Sequence, residues 1–515
     1  MCGILFSNLE VEKSIFLNAL SKISHRGPDD DMNFFSVGVN KFGHNRLTIL
    51  DKSDAGSQPF LSEDKRFVMV YNGEIYNYKE LAVEYGISLA TKCDTELLLK
   101  MYIKIGSKVL DKVNGMFAFV IYDSLEDKIF AARDRLGIKP LYYHKSKNGF
   151  VISSEASPIL SIIKDNKIDD IALRQYKKMR SFFNGRTIFS AIKMLEAGCY
   201  IENGSIKRYW ELPLYEKDVP SHEELLYLVN SSIKYRMISD VPLGSYLSGG
   251  LDSSIISKVA AENMSESFHS WTVGFTDNNE FKYSDIVANQ IRSSHHKMLI
   301  DNDEFLSLLK EMINIRREPL SVPNEVLIYK MTKEAKRHNT VLLSGEGADE
   351  LFFGYDRIFS WANDNVWDIK EFSRLYSYGS DEDFEIVEDI VSPFVSKYSR
   401  NIDIVASFFQ VAHLHGLLRR LDSSSMMANV EARVPFVDHR LVERMAGVSF
   451  KDRTSKNNPK MLLKNIYADQ LPSEVINREK VGFPVDVNKI IPDKYGKNGY
   501  DKWLNMNLEI LQNIN

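Results

Sequence analysis

Up to about residue 205 the apolar positions come in short runs, some alternating with polar residues and some continuous, cut by Gly, Asn and Asp. RFVMVYNGEIYN, MFAFVIYD, KIFAARD and GFVISSE read as strands with turn chemistry between them. Two stretches carry apolar residues at helical spacing instead, Glu12 to Ser24 and Asp94 to Gly106. Strands grouped with a few helices predict a layered α+β domain over 1–207. RYWELPLYEKDV, at 208–219, has two-sided polarity and a proline and reads as a linker. From Ser221 long helical patterns alternate with short apolar strands. SYLSGG and HNTVLLSGEG each run from a strand into a glycine turn, and HSWTVGF is a third strand. That alternation predicts a parallel α/β sheet with crossover helices over 220–515, becoming mostly helical beyond Phe359. The polar stretch after Pro492 carries no motif and is expected to be loosely held.

Composition narrows the function. A chain of 515 residues is too long for one core, which agrees with two domains. Its formal net charge of −5 argues against a nucleic-acid surface. MCGILFSNLEVEK has neither the basic start nor the apolar stretch of a signal peptide. The run MFAFVIY falls far short of the ~20 residues of a bilayer span. Cys2, Cys93 and Cys199 have no metal-ligand spacing, so a reducing, cytoplasmic setting without membrane is expected.

The strongest chemical signal is SGGLDSS, Ser248 to Ser254. Small residues between strand and helix let backbone N–H groups crowd around an anion, and the helix dipole favours negative charge. Ser248, Ser253 and Ser254 add hydroxyls, and Asp252 suits a magnesium ion on phosphates. No lysine follows the glycines, so the turn fits pyrophosphate recognition rather than γ-phosphate transfer. LLSGEGADELFFGYDR places a second glycine turn at a strand end, followed by Glu346, Asp349 and Glu350. In a parallel sheet both turns lie at the carboxyl ends of strands, where ligands bind. Asp349 then becomes a second metal ligand facing Asp252, and Glu346 a base or polarising group.

SGGLDSS, SGEGADELFFGY, EARVPFVDHRLVE and NREKVGFP together resemble the synthetase half of the glutamine-dependent asparagine synthetase family, within the ATP pyrophosphatases. The family's amino half is a glutaminase of the N-terminal-nucleophile type, a layered α+β sandwich. Its motifs occur here in order: MCGI, SHRGPDD, NRLTILD, GSQPF, YNGEIYN, CDTELLL, NGMFAFVIYD and ARDRLGIKPLYY. The resemblance implies that trimming Met1 frees Cys2, whose thiol attacks glutamine while its own α-amine relays the proton. An amine of pKa about 8 is a usable base at neutral pH. It further implies an oxyanion hole from Asn72 and Gly73, an α-carboxylate clamp in Arg46, and α-ammonium partners in Glu74 and Asp94, helped by backbone at Ile49 and Leu50. Without the resemblance, Asn72-Gly73 would read as a hairpin turn and Arg46 and Asp94 as surface charges.

For the second half, the resemblance implies that Leu247, Val273, Ser344 and Gly345 line adenine and ribose. Ser248, Gly249, Gly250, Asp252 and Ser253 would hold the phosphates, Asp252 and Asp349 Mg²⁺, and Glu346 the adenylate. Lys480 would neutralise pyrophosphate; taken alone, it reads as a solvent-facing lysine. ATP would be cleaved to AMP and pyrophosphate, and an acyl adenylate amidated. The small-molecule partners are thus glutamine, ATP and a carboxylate acceptor, and a homodimer is left open. Aspartate is the acceptor the family implies first. Phe353 stands where the family commonly has glycine, and Ser423 where arginine often stands. These departures keep a second acceptor class in play, such as a uronic acid of a surface polysaccharide, and a third reading is a catalytically silent relative.

Overall fold

The computed structural model describes residues 2–379, 383–455, 457–478 and 485–514. Its first half is built on two six-stranded antiparallel sheets. One runs Lys193–Met194, Tyr142–Ser146, Gly149–Ser153, Cys2–Ser7, Asn40–Arg46, Asn33–Val37. The other runs Ser205–Arg208, Cys199–Glu202, Lys128–Arg133, Gly115–Asp123, Phe67–Ile75, Phe60–Leu61.

Strand periodicity explains the layering. Ile4 and Phe6 share the inter-sheet core with Val68, Val70, Ala118 and Val120, whereas Leu5 between them packs outward on Phe16 and Leu20. Met69, Tyr71, Phe117 and Phe119 point outward on the second sheet against Leu97, Leu98 and Met101 of the helix Asp94–Ile105. The result is a four-layer α+β sandwich, as the strand pattern predicts. The first helix is shorter than expected, Lys13–Ser21, and the chain resumes as a 3₁₀ turn at Ser24–Arg26.

The second half contains five parallel strands in the order Ser294–Leu299, His269–Gly274, Leu243–Tyr246, Val341–Leu343, Glu431–Arg433. Crossover helices such as Leu251–Glu262 and Asn324–Ala335 return the chain between them. The chain between the halves is held rather than free. Leu212 is buried, Trp210 Nε1 donates to Glu443 at 2.7 Å, and Lys217 N donates to Gly447 O at 3.1 Å. Among the described residues no helix is long and apolar enough to cross a membrane.

The expectation of a loosely held terminus is wrong. Gly499–Ile514 is a helix whose Trp503, Met506 and Leu511 are buried on one face. Trp503 Nε1 donates to Ser321 O at 3.1 Å, and Asn507 Oδ1 accepts from Leu320 N at 2.9 Å. Apolar and polar residues are interspersed along this helix, and helical spacing turns several of the apolar ones toward one buried face. Trp503→Ala is expected to destabilise the second half by about 3–5 kcal/mol, read as a lowered urea midpoint.

Candidate active sites

Cys2 begins its strand opposite Arg46 in the neighbouring one, and Asn72 faces it from the second sheet. The Cys2 main-chain N donates to Asn72 Oδ1 at 3.0 Å. Asn72 is buried, and its Nδ2 has no hydrogen-bond acceptor among the described residues. A buried donor left unmet costs about 1–3 kcal/mol, so a donor beside a nucleophile suits a developing oxyanion. Gly73 follows where a Cβ would stand 2.2 Å from Met116 O, so no other residue fits. Cys2 is only 8 % exposed. Burial pushes its thiol up, while the Leu47 N–H and the Arg46 guanidinium oppose the rise.

Arg46 is buried, not a surface charge. It grips the following loop, donating to Asp51 O at 2.5 Å and Ser53 O at 3.0 Å. Ile49 and Leu50 lie in that loop, and Ile49 O accepts from Asp240 N of the second half at 3.0 Å. Asp94 is buried too, its Oδ2 accepting from Tyr71 Oη and Ile75 N, each at 2.7 Å. Glu74 has a buried Oε2 with no donor among the described residues. Burial and the nearby Asp94 carboxylate push Glu74 well above the usual range, against the pull of Arg433. Two buried carboxylates short of positive charge suit an incoming ammonium.

Arg433 comes from the other half of the molecule. Its Nη2 lies 3.5 Å from Glu74 Oε1, and its Nε donates to Glu431 Oε1 at 2.5 Å. Its own carbonyl accepts from Ser344 N at 2.8 Å, in the second glycine turn. One residue therefore touches both expected sites. EARVPFVDHR marks this stretch as a motif, but nothing in the letters says that it reaches Glu74.

The second site opens into a cavity of about 1090 Å³ at the carboxyl ends of the parallel strands. Leu247, Ser248, Gly250, Asp252, Ser253, Ser344, Gly345, Glu346 and Asp349 all line it. Ser248 Oγ accepts from Gly250 N at 3.2 Å and sits 3.1 Å from Ser253 Oγ, which shapes the turn. Gly345 approaches so closely that a Cβ would stand 3.0 Å from the Asp252 Cβ. Two expected residues lie back from the wall. Val273 packs into the core behind its neighbours Trp271 and Thr272, and Gly249, at φ +75°, turns against Tyr283.

Asp252 and Asp349, nearly a hundred residues apart, converge on one cation, Lys460. Its Nζ is 2.5 Å from Asp252 Oδ2 and 2.6 Å from Asp349 Oδ1. The two carboxylates pull the ammonium above its ordinary range despite burial. Two carboxylates already gathered round a positive charge are a fitting donor pair for Mg²⁺. Sequence reasoning missed Lys460, which sits in a polar stretch with no motif of its own. It missed Arg420 as well, whose Nη2 is 2.9 Å from Glu346 Oε1, and the cavity-lining pair Arg478–Glu280. Lys480 lies outside the described residues.

Comparison with known proteins agrees with this two-site plan. Residues 1–210 match the glutamine amidotransferase domain model and residues 224–509 the asparagine synthase model. Asparagine synthetase [glutamine-hydrolyzing] 1 of Bacillus subtilis is 30% identical, covering 94% of this chain and 84% of its own. A putative asparagine synthetase of Methanocaldococcus jannaschii is 37% identical over 69% of this chain and 76% of its own. Asparagine synthetase B of Escherichia coli is 29% identical over 92% and 78%. An amidotransferase half that buries a cysteine against a waiting amide donor, joined to a half that gathers Asp252, Asp349 and Lys460 beneath two glycine turns, places this chain in the glutamine-hydrolysing asparagine synthetase family.

Proposed function

We propose that this enzyme frees ammonia from glutamine at Cys2 and uses it to amidate a carboxylate that its second half has joined to AMP. The observation that carries this reading is Arg433, which ties the Glu74 pocket to the Ser344 turn. The relatives are named for asparagine, so aspartate is the first acceptor proposed. A larger carboxylic acid, such as a uronic acid, is the second reading. The cavity bears on it: about 1090 Å³ is more room than an amino acid needs beside ATP, and its wall mixes Phe183, Tyr355, Tyr376 and Phe409 with Arg180, Arg357 and His413.

The first reaction begins once Met1 is removed. The Cys2 amine takes the thiol proton, Sγ attacks the amide carbon, and the oxyanion settles on Asn72 Nδ2 and the Gly73 N–H. The amine returns the proton to the departing ammonia, and water then cleaves the thioester. Arg46 and the Glu74–Asp94 pair hold the α-carboxylate and α-ammonium of glutamine while its side-chain amide reaches Cys2. In the second reaction an oxygen of the acceptor carboxylate attacks the α-phosphorus of ATP and pyrophosphate leaves. Magnesium, when bound by Asp252 and Asp349, supplies charge to the phosphates. Lys460 steadies the same negative charge, and Ser248, Gly250 and Ser253 orient the phosphate chain at the helix start. Ammonia then attacks the acyl carbon, sheds a proton toward Glu346, and displaces AMP.

Cys2→Ala is expected to abolish glutamine hydrolysis while synthesis from ammonium salts persists, with AMP and pyrophosphate as products. Equal loss of both activities, or ADP among the products, would contradict the reading. Lys460→Met is expected to cut acceptor-dependent pyrophosphate release by roughly 100-fold or more, because it removes the charge between two carboxylates. Unaltered release would show that Lys460 is only a structural ion-pair partner.

A further inference from the structure

The cavity keeps almost all of its buried cations paired. Lys460 has Asp252 and Asp349, Arg420 has Glu346, and Arg478 has Glu280. Buried arginines elsewhere that lack a carboxylate spend their donors on carbonyl oxygens. Arg133 uses Lys139 O, Leu195 O and Gly137 O, and Arg453 uses Val448 O, Leu351 O and Ala446 O. Arg180, also in the cavity wall, has neither. Among the described residues no carboxylate or carbonyl accepts from it, and its Nε is buried without a partner.

Two rings hold it in place instead. The guanidinium carbon stands 3.7 Å from the Tyr378 ring centroid and 4.9 Å from that of Tyr500, contacts that fix a cation's position and leave its edge donors unspent. Burial pulls the group down, and among the described residues Tyr378, Tyr500 and Tyr176 oppose it. Arg180 caps the helix Asp170–Met179 at φ +54°, as Lys164, Arg292 and Arg317 cap theirs in the same left-handed conformation.

The position relative to the chemistry follows from the helix Leu414–Met426. Ser181, next to Arg180, lies against Gly416, where a Cβ would be 2.9 Å from Ser181 Oγ. Arg420, one turn further along that helix, holds Glu346. The four-residue step from Gly416 to Arg420 is about 6 Å of rise. Through Ser181, Arg180 thus lies about one turn of that helix from the Arg420–Glu346 pair, on the acceptor side of the cavity.

We propose that Arg180 is an anion subsite for the acceptor, so that the molecule amidated carries a second negative group besides the carboxylate that is activated. This rests on the reading of the cavity as the place of carboxylate activation. The second group is the α-carboxylate if the acceptor is an amino dicarboxylic acid, and a phosphate if it is an activated sugar acid. A planar fork of donors suits either.

The test measures pyrophosphate release from the full chain with ATP, Mg²⁺ and glutamine, against acceptors in matched pairs. Aspartate is paired with its α-amide, and glucuronic acid with its 1-phosphate. In the pair that supports turnover, kcat/KM is expected to favour the dianion by about 10-fold or more. Arg180→Gln is expected to erase that preference by raising KM for the dianion, with KM for ATP moving far less. Arg180→Lys should restore part of it. Tyr500→Leu, which keeps the arginine but loosens its seat, should weaken the preference and serves if the arginine variants fail to fold. A wild-type enzyme indifferent to the second charge, or a preference that survives Arg180→Gln, overturns the subsite. Absence of release with every acceptor overturns the amidation reading beneath it.

Discussion

A buried guanidinium cannot stand alone, and Arg433 is the one on which both sites lean. Its Nη1 holds Arg236 O at 2.9 Å and Ile238 O at 2.6 Å, its Nε holds Glu431, and Nη2 faces Glu74. Its own half supplies Glu431 and the two carbonyls, and docking of the halves brings it the Glu74 carboxylate as well. Part of the charge balance around Glu74 therefore comes from the other domain. Burial and Asp94 push Glu74 toward its neutral form, and Arg433 opposes that push only in part. The same residue then passes its carbonyl to Ser344, at the floor of the cavity.

A second seam repeats the arrangement. Arg26 Nε donates to Cys2 O at 3.3 Å while its Nη2 is 3.0 Å from Asp422 of the second half, which also faces Lys139 at 3.4 Å. Asp240 closes a third, accepting from Asp51 N at 3.0 Å in the loop that Arg46 grips. Buried polar contacts of this kind fix one relative orientation, since any other leaves charges unmet. Fixed orientation is what nitrogen transfer requires. Ammonia released into water is protonated and loses its lone pair, so source and sink must keep a constant, sheltered relation.

The motifs legible in the sequence are those whose chemistry is local. SGGLDSS and SGEGADE declare a strand, a turn and a helix start within a few letters, and the cavity lies at those turns. YNGEI of the YNGEIYN motif continues a strand through Ile75 instead of turning as a hairpin, because Asn72 and Gly73 pair with Ala118 and Phe117. Residues that act through long-range contact were illegible. Lys460 reaches Asp252 across 208 positions, Arg433 reaches Glu74 across more than three hundred, and Arg180 meets rings from two distant segments. No local pattern encodes those meetings; only packing of the halves does. The terminal helix was missed for a related reason, since its apolar stripe becomes visible only once the stretch is wound at 3.6 residues per turn.

Isotope tracing bears most directly on the claim that one chain makes nitrogen in one half and spends it in the other. The full enzyme would receive ATP, an acceptor that drives pyrophosphate release, glutamine labelled with ¹⁵N at its amide, and a large excess of unlabelled ammonium. Retention of ¹⁵N in the amide product, far above its share of the bulk ammonium, is the predicted result. A product carrying only the bulk ratio would mean that the two sites share a solution rather than a path, and would contradict the account.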